Sequence, residues 1–311
     1  MNNPRRAADR DGTLSGLLLV DKPPGLTSFG VVRRVKKLLS VRKVGHLGTL
    51  DPFATGLLPL ALGEATKLVP FLMGQPKTYR ATLKLGEETD TQDLTGTVTG
   101  RWKRLPEPEA IVVAAARFVG EIEQTPPLYS ALHHQGERLY RLARRGEQVE
   151  VAPRRVTILA LTVETVALPE VTVQVTCSAG TYVRTLAQDL GRALGTGAHL
   201  IALRRLAVGP FSVDRALPLA DLEEPQGQEE ARGRIIPLAD CVPEFKAVPV
   251  SADEARALRQ GQRIVNPDPA LTEGDKVRIL AQGRLVAVAA CHTREGLAWL
   301  APVRVFSGFE A

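Results

Sequence analysis

Between residues 45 and 67 the chain reads Gly45-His46-Leu47-Gly48-Thr49-Leu50-Asp51-Pro52-Phe53-Ala54-Thr55-Gly56-Leu57-Leu58-Pro59-Leu60-Ala61-Leu62-Gly63-Glu64-Ala65-Thr66-Lys67. Its one aspartate, Asp51, follows two glycines and directly precedes a proline. Gly45 and Gly48 allow tight turns and let a ligand approach the backbone closely. Pro52 disfavours a helical backbone at Asp51 and stiffens the chain behind it. An acid presented in this way sits on a rigid loop. Taken alone, an Asp-Pro pair is more often an ordinary turn, and a lone His46 is more often structural.

Other chemistry-bearing residue types are sparse. Cys177, Cys241 and Cys291 lie far apart with no CxxC spacing, which points to a reducing compartment rather than a disulfide scaffold. The adjacent pair His133-His134 lacks the cysteine or acid pattern of a metal site, so no metal is expected.

The elements that must position Asp51 are legible in outline. Gly16–Val20 predicts a short buried strand, stopped by the turn Asp21-Lys22-Pro23-Pro24-Gly25. Ser28 is a candidate cap for a helix whose apolar stripe is Val31, Val32, Val35, Leu38 and Leu39. Arg33, Arg34, Lys36 and Lys37 face the other way, a pattern that ordinarily means a solvated helix face. Tyr79, Ala81, Leu83 and Leu85 alternate with polar residues, as in a half-buried strand. Pro108–Val119 predicts a helix. Val156–Leu168 and Val171–Cys177 predict strands paired across Pro169-Glu170. Gly180–Leu194 predicts a turn and a helix, and Ile201–Val208 a strand. Helices and strands interspersed without a βαβ repeat indicate an α+β fold with a mixed, mostly antiparallel central sheet. Residues 223–234 are polar and contain Gly and Pro, the best linker candidate. Short strands at Val277–Leu280, Leu285–Ala290 and Leu297–Ala301 then indicate a small β-rich module.

The chain has 311 residues, enough for two domains, and 44% hydrophobic residues, enough for real cores. It carries 40 Lys+Arg against 34 Asp+Glu, a formal charge of +6. That excess fits a polyanionic partner without requiring one. Residues 1–50 hold ten of the basic residues and three acids, so the positive charge is concentrated near the front. The first 13 residues read as a disordered basic arm with no apolar signal core, and the run Leu17–Val20 is far too short to span a membrane. A cytoplasmic protein is expected.

Read as a whole, the 45–67 segment closely resembles the catalytic motif of the TruB family of pseudouridine synthases. The resemblance extends in order over residues 16–220. It takes in Leu19-Val20-Asp21-Lys22-Pro23, Lys77-Thr78-Tyr79-Arg80, the acidic turn from Gly86 to Asp93, and Tyr129-Ser130-Ala131-Leu132. Ser178-Ala179-Gly180-Thr181-Tyr182-Val183-Arg184-Thr185 and the run Gly197-Ala198-His199 through Leu203-Arg204-Arg205-Leu206 complete it. The family fold it implies is the pseudouridine-synthase fold, and the implied reaction converts uridine to pseudouridine without a cofactor. The C1′–N1 bond breaks, the uracil turns in place, and C5 bonds to C1′. The resemblance makes Asp51 the catalytic carboxylate, by attack on C1′ or by removal of the C2′ proton; the sequence leaves both open. Burial would raise the Asp51 pKa, and Arg184 is the implied positive partner opposing that rise. Tyr79 is implied to stack on the target base, a contact worth roughly 1–3 kcal/mol. His46 is implied to help hold the flipped nucleotide out of its stack. Tyr182 and Leu203 match pocket positions, Lys22 and Lys67 match basic positions near the site, and Asp93 matches a supporting acid.

The resemblance also implies a partner, tRNA, with the uridine of the TΨC loop at position 55 as target and no protein partner; a monomer is expected. Residues 124–152 resemble a thumb-like insertion that closes over RNA. Within it Arg138, Arg141, Arg144 and Arg145 have the spacing of one helical face, from which Leu139 and Leu142 would turn away to pack. Residues 14–240 would then form the catalytic domain. Residues 241–311 resemble, more loosely, an RNA-binding PUA domain. An RNA-folding role without or beside catalysis, the guide-dependent enzyme of the box H/ACA ribonucleoprotein, and a two-carboxylate glycosidase are the competing expectations.

Overall fold

Three consecutive leucines and a valine make Leu17–Val20 apolar on both faces, a pattern suited to a strand covered on both sides. Strand β1 (Gly16–Lys22) is that strand, with Leu17, Leu18, Leu19 and Val20 all buried. The structure is a computed structural model. It describes residues 14–307 except 128, 130–132, 135, 140, 141, 143, 144, 146, 148 and 150. The expected basic arm at 1–13 therefore lies outside the described residues.

Helix α1 (Ser28–Leu38) follows β1, and then come β2 (Val44–His46), β3 (Thr55–Leu62) and β4 (Lys77–Leu85). Ten strands form one mixed sheet. Its main path runs Leu217–Pro218, β1, β3, Ala198–Val208, β4, Glu170–Cys177, Arg154–Ala167 and Gly120–Gln124. Most pairs are antiparallel. The exceptions are β1 with Leu217–Pro218 and β3 with Ala198–Val208, which run parallel. The α+β reading therefore holds. The expected pairing across Pro169-Glu170 is present as a long antiparallel hairpin.

One face of the sheet is covered by α1, the Pro108–Ala116 helix and the Val183–Ala193 helix. Their apolar stripes meet Leu18, Val20, Ala81, Leu83 and Val173 in a single core. The three α1 valines buried there, Val31, Val32 and Val35, each contribute about 1.5–3 kcal/mol. The opposite face of β1 and β3 packs against a short helical turn, Val69–Leu72, and against part of a second sheet. That five-stranded sheet is ordered Lys246–Pro249, Lys276–Ala281, Arg284–Arg294, Leu297–Val305 and Ile264–Val265. Leu285, Val288 and Phe306 from it share a core with Leu17, Leu19 and Leu57.

Three local expectations are corrected. The helix cap is Thr27, whose side chain accepts from the Gly30 N–H. Ser28 is buried and turned inward instead, where its hydroxyl is tied to Leu50. The 223–234 segment is not a linker: Pro225–Gly233 is a helix with Ala231 fully buried. Pro225 starts that helix, and Gly227 fits there because a Cβ would meet the Asp221 carbonyl at 1.8 Å. Finally, Arg138 lies on a strand and not on the expected helix, while Arg141 and Arg144 lie outside the described residues. Gly136, with φ of 87°, turns the chain so that Glu137–Arg138 pairs with His133–His134 as a hairpin. Among the described residues no helix is long and apolar enough to cross a membrane.

Candidate active site

Asp51 lies between β2 and β3 on a loop fixed from several sides. The Leu50 N–H donates to the Ser28 hydroxyl at 2.8 Å, and the Gly25 N–H donates to the Pro52 carbonyl at 2.8 Å. Lys22 is completely buried and donates to the carbonyls of Pro23 (2.9 Å), Leu26 (2.7 Å) and Pro52 (3.2 Å). These bonds restrain the loop from across the fold, in addition to the local stiffening expected from Pro52.

Arg184 enters from the first turn of the Val183–Ala193 helix. Its Nε is 2.9 Å from Asp51 Oδ2, and a second nitrogen donates to Oδ1 at 3.3 Å. This is a fork on a carboxylate, the strong geometry for such pairs. The guanidinium also donates to the Thr91 carbonyl (3.0 Å) and the Tyr129 carbonyl (2.9 Å), and lies 3.4 Å from Asp93. Asp93 is buried and held by Thr91 Oγ1 and by the Thr95 N–H and hydroxyl. It thus supports Arg184 from behind, and Arg184 is buried between two carboxylates.

Burial pushes the Asp51 carboxyl above its ordinary pKa, and Asp93 adds to the rise. Arg184 is the largest opposing influence, with Lys22 assisting. Arg184 opposes the rise as expected, yet burial prevails in direction. The same burial, with Arg205 nearby, lowers Lys22 to about 8 despite the pull of Asp51.

Tyr79 is buried on β4, on the same side as Leu203 and Arg205 of the paired Ala198–Val208 strand. Burial raises its phenol pKa, and Arg205 opposes the rise both through its charge and through a hydrogen bond. Leu203 lines a groove of about 380 Å³ with Phe53, Thr55, Arg80, Thr82 and Arg204. Phe53 and Thr55 bring that groove to within a few residues of Asp51. His46 is half-buried on β2, and its Nδ1 accepts from the Gly48 N–H at 3.3 Å. Burial, then Arg205, lowers its pKa and favours the neutral ring. Tyr182 caps the arginine helix; its backbone N–H and carbonyl both bond the Gln124 side chain.

Lys67 is placed elsewhere. Its ammonium pairs with Glu64 at 2.6 Å, donates to the Val305 carbonyl at 3.1 Å and lies over the Phe306 ring. It sits at the seam between the two sheets, not in contact with the Asp51–Arg184–Asp93 cluster. Of the thumb arginines, Arg141 and Arg144 lie outside the described residues, as does the Arg138 side chain. Arg145 is taken up by Glu137 at 2.7 and 2.8 Å and Glu147 at 2.6 Å. Leu139 and Leu142 pack as expected.

Sequence reasoning missed Arg205 as a site residue. It is 1% exposed, yet donates to the carbonyls of Leu57 (2.7 Å), Gly48 (3.0 Å) and Thr49 (3.5 Å). One side chain thereby ties the start of β3 to the loop just before Asp51. Gly56 is required beside it, because a Cβ there would meet the Arg205 carbonyl at 2.3 Å. The signal lay in Arg204-Arg205 within a strand: consecutive strand residues face opposite sides, so one of the two charges had to point inward. No group of acids, histidines and cysteines among the described residues is placed to hold a metal.

Over almost its full length the chain resembles a protein in the "Structure of H/ACA RNP bound to a substrate RNA containing 2'-deoxyuridine", with a TM-score of 0.72 and 27% identity, covering 98% of this chain and 91% of that one. The fold, a large mixed sheet joined to a smaller β-rich one, is that of a pseudouridine synthase. The chain belongs to the TruB family: its residues 36–183 match the "TruB family pseudouridylate synthase (N terminal domain)". Residues 184–242 match the "tRNA pseudouridylate synthase B C-terminal domain", and residues 247–306 match "Pseudouridine synthase II TruB, C-terminal". It is 44% identical over 284 residues to the tRNA pseudouridine synthase B of Geobacter sulfurreducens, covering 89% of this chain and 93% of that relative. To the Burkholderia pseudomallei protein of the same name it is 47% identical over 299 residues, covering 94% and 97%.

Proposed function

We propose that the protein isomerises the uridine at position 55, in the TΨC loop of tRNA, with Asp51 as the catalytic carboxylate. The tRNA pseudouridine synthase B relatives support uridine-to-pseudouridine isomerisation in tRNA as the activity of this enzyme. The position and the residue roles rest on the resemblance and on one observation above all, the Arg184 fork on Asp51.

The flipped uridine places C1′ beside Asp51. Asp51 either attacks C1′ as uracil departs or takes the C2′ proton to start a glycal route. The freed uracil stays in the pocket, turns, and bonds through C5 to C1′, which displaces Asp51 on the first route and, on the second, goes with return of the proton from Asp51 to C2′; the C5 proton is then lost and N1 is protonated, so product and substrate are isomers. Arg184 is a positioning residue, since its donors all end on protein oxygens. Tyr79 offers a ring face to the base, and Leu203 closes the pocket beside it. His46, neutral and half-buried, is suited to fill the space the flipped nucleotide leaves in the RNA loop. Residues 14–240 act as the catalytic domain, with 124–152 closing over the RNA. Residues 241–311, PUA-like, grip the end of the acceptor stem. The reaction consumes no cofactor, and the cytoplasm, where tRNA is modified, is the matching compartment.

The test is to incubate purified protein with unmodified tRNA, without partner proteins, and to map pseudouridine by position. Formation at position 55 is expected. Asp51→Asn should bind the same tRNA within about threefold of wild type and form no product. Full activity in that variant would refute the role of Asp51. Dependence on a guide RNA would refute the stand-alone reading, and free uracil would point to hydrolysis.

A further inference from the structure

We propose that a basic groove on the outer side of α1 holds the phosphodiester backbone of the substrate RNA. The proposal rests on the RNA-modifying reading above and assigns that RNA a second contact surface, apart from the Asp51 pocket, the 124–152 segment and the C-terminal module. The groove has a volume of about 390 Å³ and is lined by Phe29, Arg33, Lys36, Arg42, Lys43 and Thr66, with Val32 and Val44 between them.

All four of its cations are exposed, and among the described residues none pairs with an acidic side chain. That distinguishes them from their neighbours. Arg34, on the same helix, is bonded to Glu223 at 3.0 Å, and Lys67, one residue beyond Thr66, is bonded to Glu64. Four like charges converging on one concave strip repel one another and are stabilised by an anion lying along it. The four come from two elements, α1 and the stretch leading into β2, so they line both walls of the groove rather than one solvated helix face.

Phe29 adds a second feature. It is 66% exposed on the first turn of α1, although Val31, Val32 and Val35 of the same helix are buried. An exposed aromatic beside unpaired cations is the combination that meets nucleic acid, with the ring taking a base or sugar face and the cations the phosphates. The groove is also connected to the site: Val44 in its wall starts β2, and His46 ends the same three-residue strand. At roughly 3.3 Å per residue, the groove opens within about 7–10 Å of His46. An RNA strand held at His46 can therefore continue into the groove without a break.

The decisive measurement is the salt dependence of RNA binding by the full chain, using unmodified tRNA as the probe. The Arg33→Gln/Lys36→Gln/Arg42→Gln/Lys43→Gln variant removes exposed charges and no core contact. If two to four phosphates lie in the groove, the slope of log K against log salt should fall by about 1.5–3.5, and affinity at 0.1 M salt by more than about tenfold. Phe29→Ala should weaken binding while leaving the slope unchanged. Arg34→Gln, paired and outside the groove, should change neither. An unchanged slope in the four-site variant overturns the proposal. So does an equal slope change from Arg34→Gln, which would report general charge rather than this groove. Product formation by the wild-type protein, measured on the same tRNA, checks the underlying reading separately. A wild-type protein that makes no pseudouridine defeats that reading, whereas an active wild type with an unaltered variant slope defeats the groove alone.

Discussion

Arg184→Lys isolates what the fork contributes beyond charge. Lysine keeps one positive charge but offers one ammonium in place of a planar guanidinium, so it cannot satisfy both Asp51 oxygens together with the Thr91 and Tyr129 carbonyls. A hydrogen bond to a charged group contributes about 1.5–3 kcal/mol. Losing one arm of the fork should therefore lower single-turnover pseudouridine formation by about 10- to 200-fold. The RNA Kd should stay within about threefold, because every Arg184 donor bond ends on the protein. The acidic limb of the rate profile should also move to higher pH. Arg184 is the strongest influence holding the Asp51 carboxyl down against burial, and a looser cation holds it less well. The assay is a pH series of single turnovers on unmodified tRNA, with thermal unfolding read in parallel because Arg184 is buried between two carboxylates. A rate within about threefold of wild type, with an unmoved acidic limb, would show that the fork does not position Asp51 for chemistry.

Lys22 gives a pH signature of opposite sign. Its folded pKa of about 8 lies below its ordinary value, so the fold disfavours its charge below that pH, and the penalty fades as pH rises from about 8 toward the ordinary lysine value. Urea unfolding should therefore show wild type gaining stability across that window relative to Lys22→Met; parallel pH curves would contradict the assignment. Activity should fall over the same range in wild type, as Asp51 loses a counter-charge. Arg205→Met should cost about 2–6 kcal/mol of stability by leaving the Leu57 and Gly48 carbonyls without their donor. It should lower kcat more than it alters the RNA Kd, and a change confined to Kd would speak against its hold on the Asp51 loop.

Local pattern made the placement of several candidate residues legible, while their roles came from the family resemblance. Tyr79 stood on a strictly alternating strand, Arg184 on the first turn after a glycine turn, and Asp51 ahead of a proline. Strand β3 was not legible, for a physical reason. It is covered on both faces, so its apolar run lacks alternation, and Pro59 within it argues against a strand. Lys22 and Arg205 escaped notice as buried groups because their acceptors are backbone carbonyls, most of them brought in by tertiary folding. No pattern of residue types marks a carbonyl as an acceptor. Arg138 departs from expectation differently: helical spacing was present, but the turn at Gly136 took that residue into a hairpin. The 223–234 segment misled because its composition suits an exposed surface helix as well as it suits a linker.

One core joins Leu17, Leu19 and Leu57 of the first sheet to Leu285, Val288 and Phe306. Lys67, bound to the Val305 carbonyl and seated over Phe306, bolts the same seam from the outside. A span set by packing therefore separates the C-terminal strands from the Asp51 loop. If the C-terminal strands hold one end of the RNA as proposed, this packing would make the length of the RNA arm decide which nucleotide reaches Asp51.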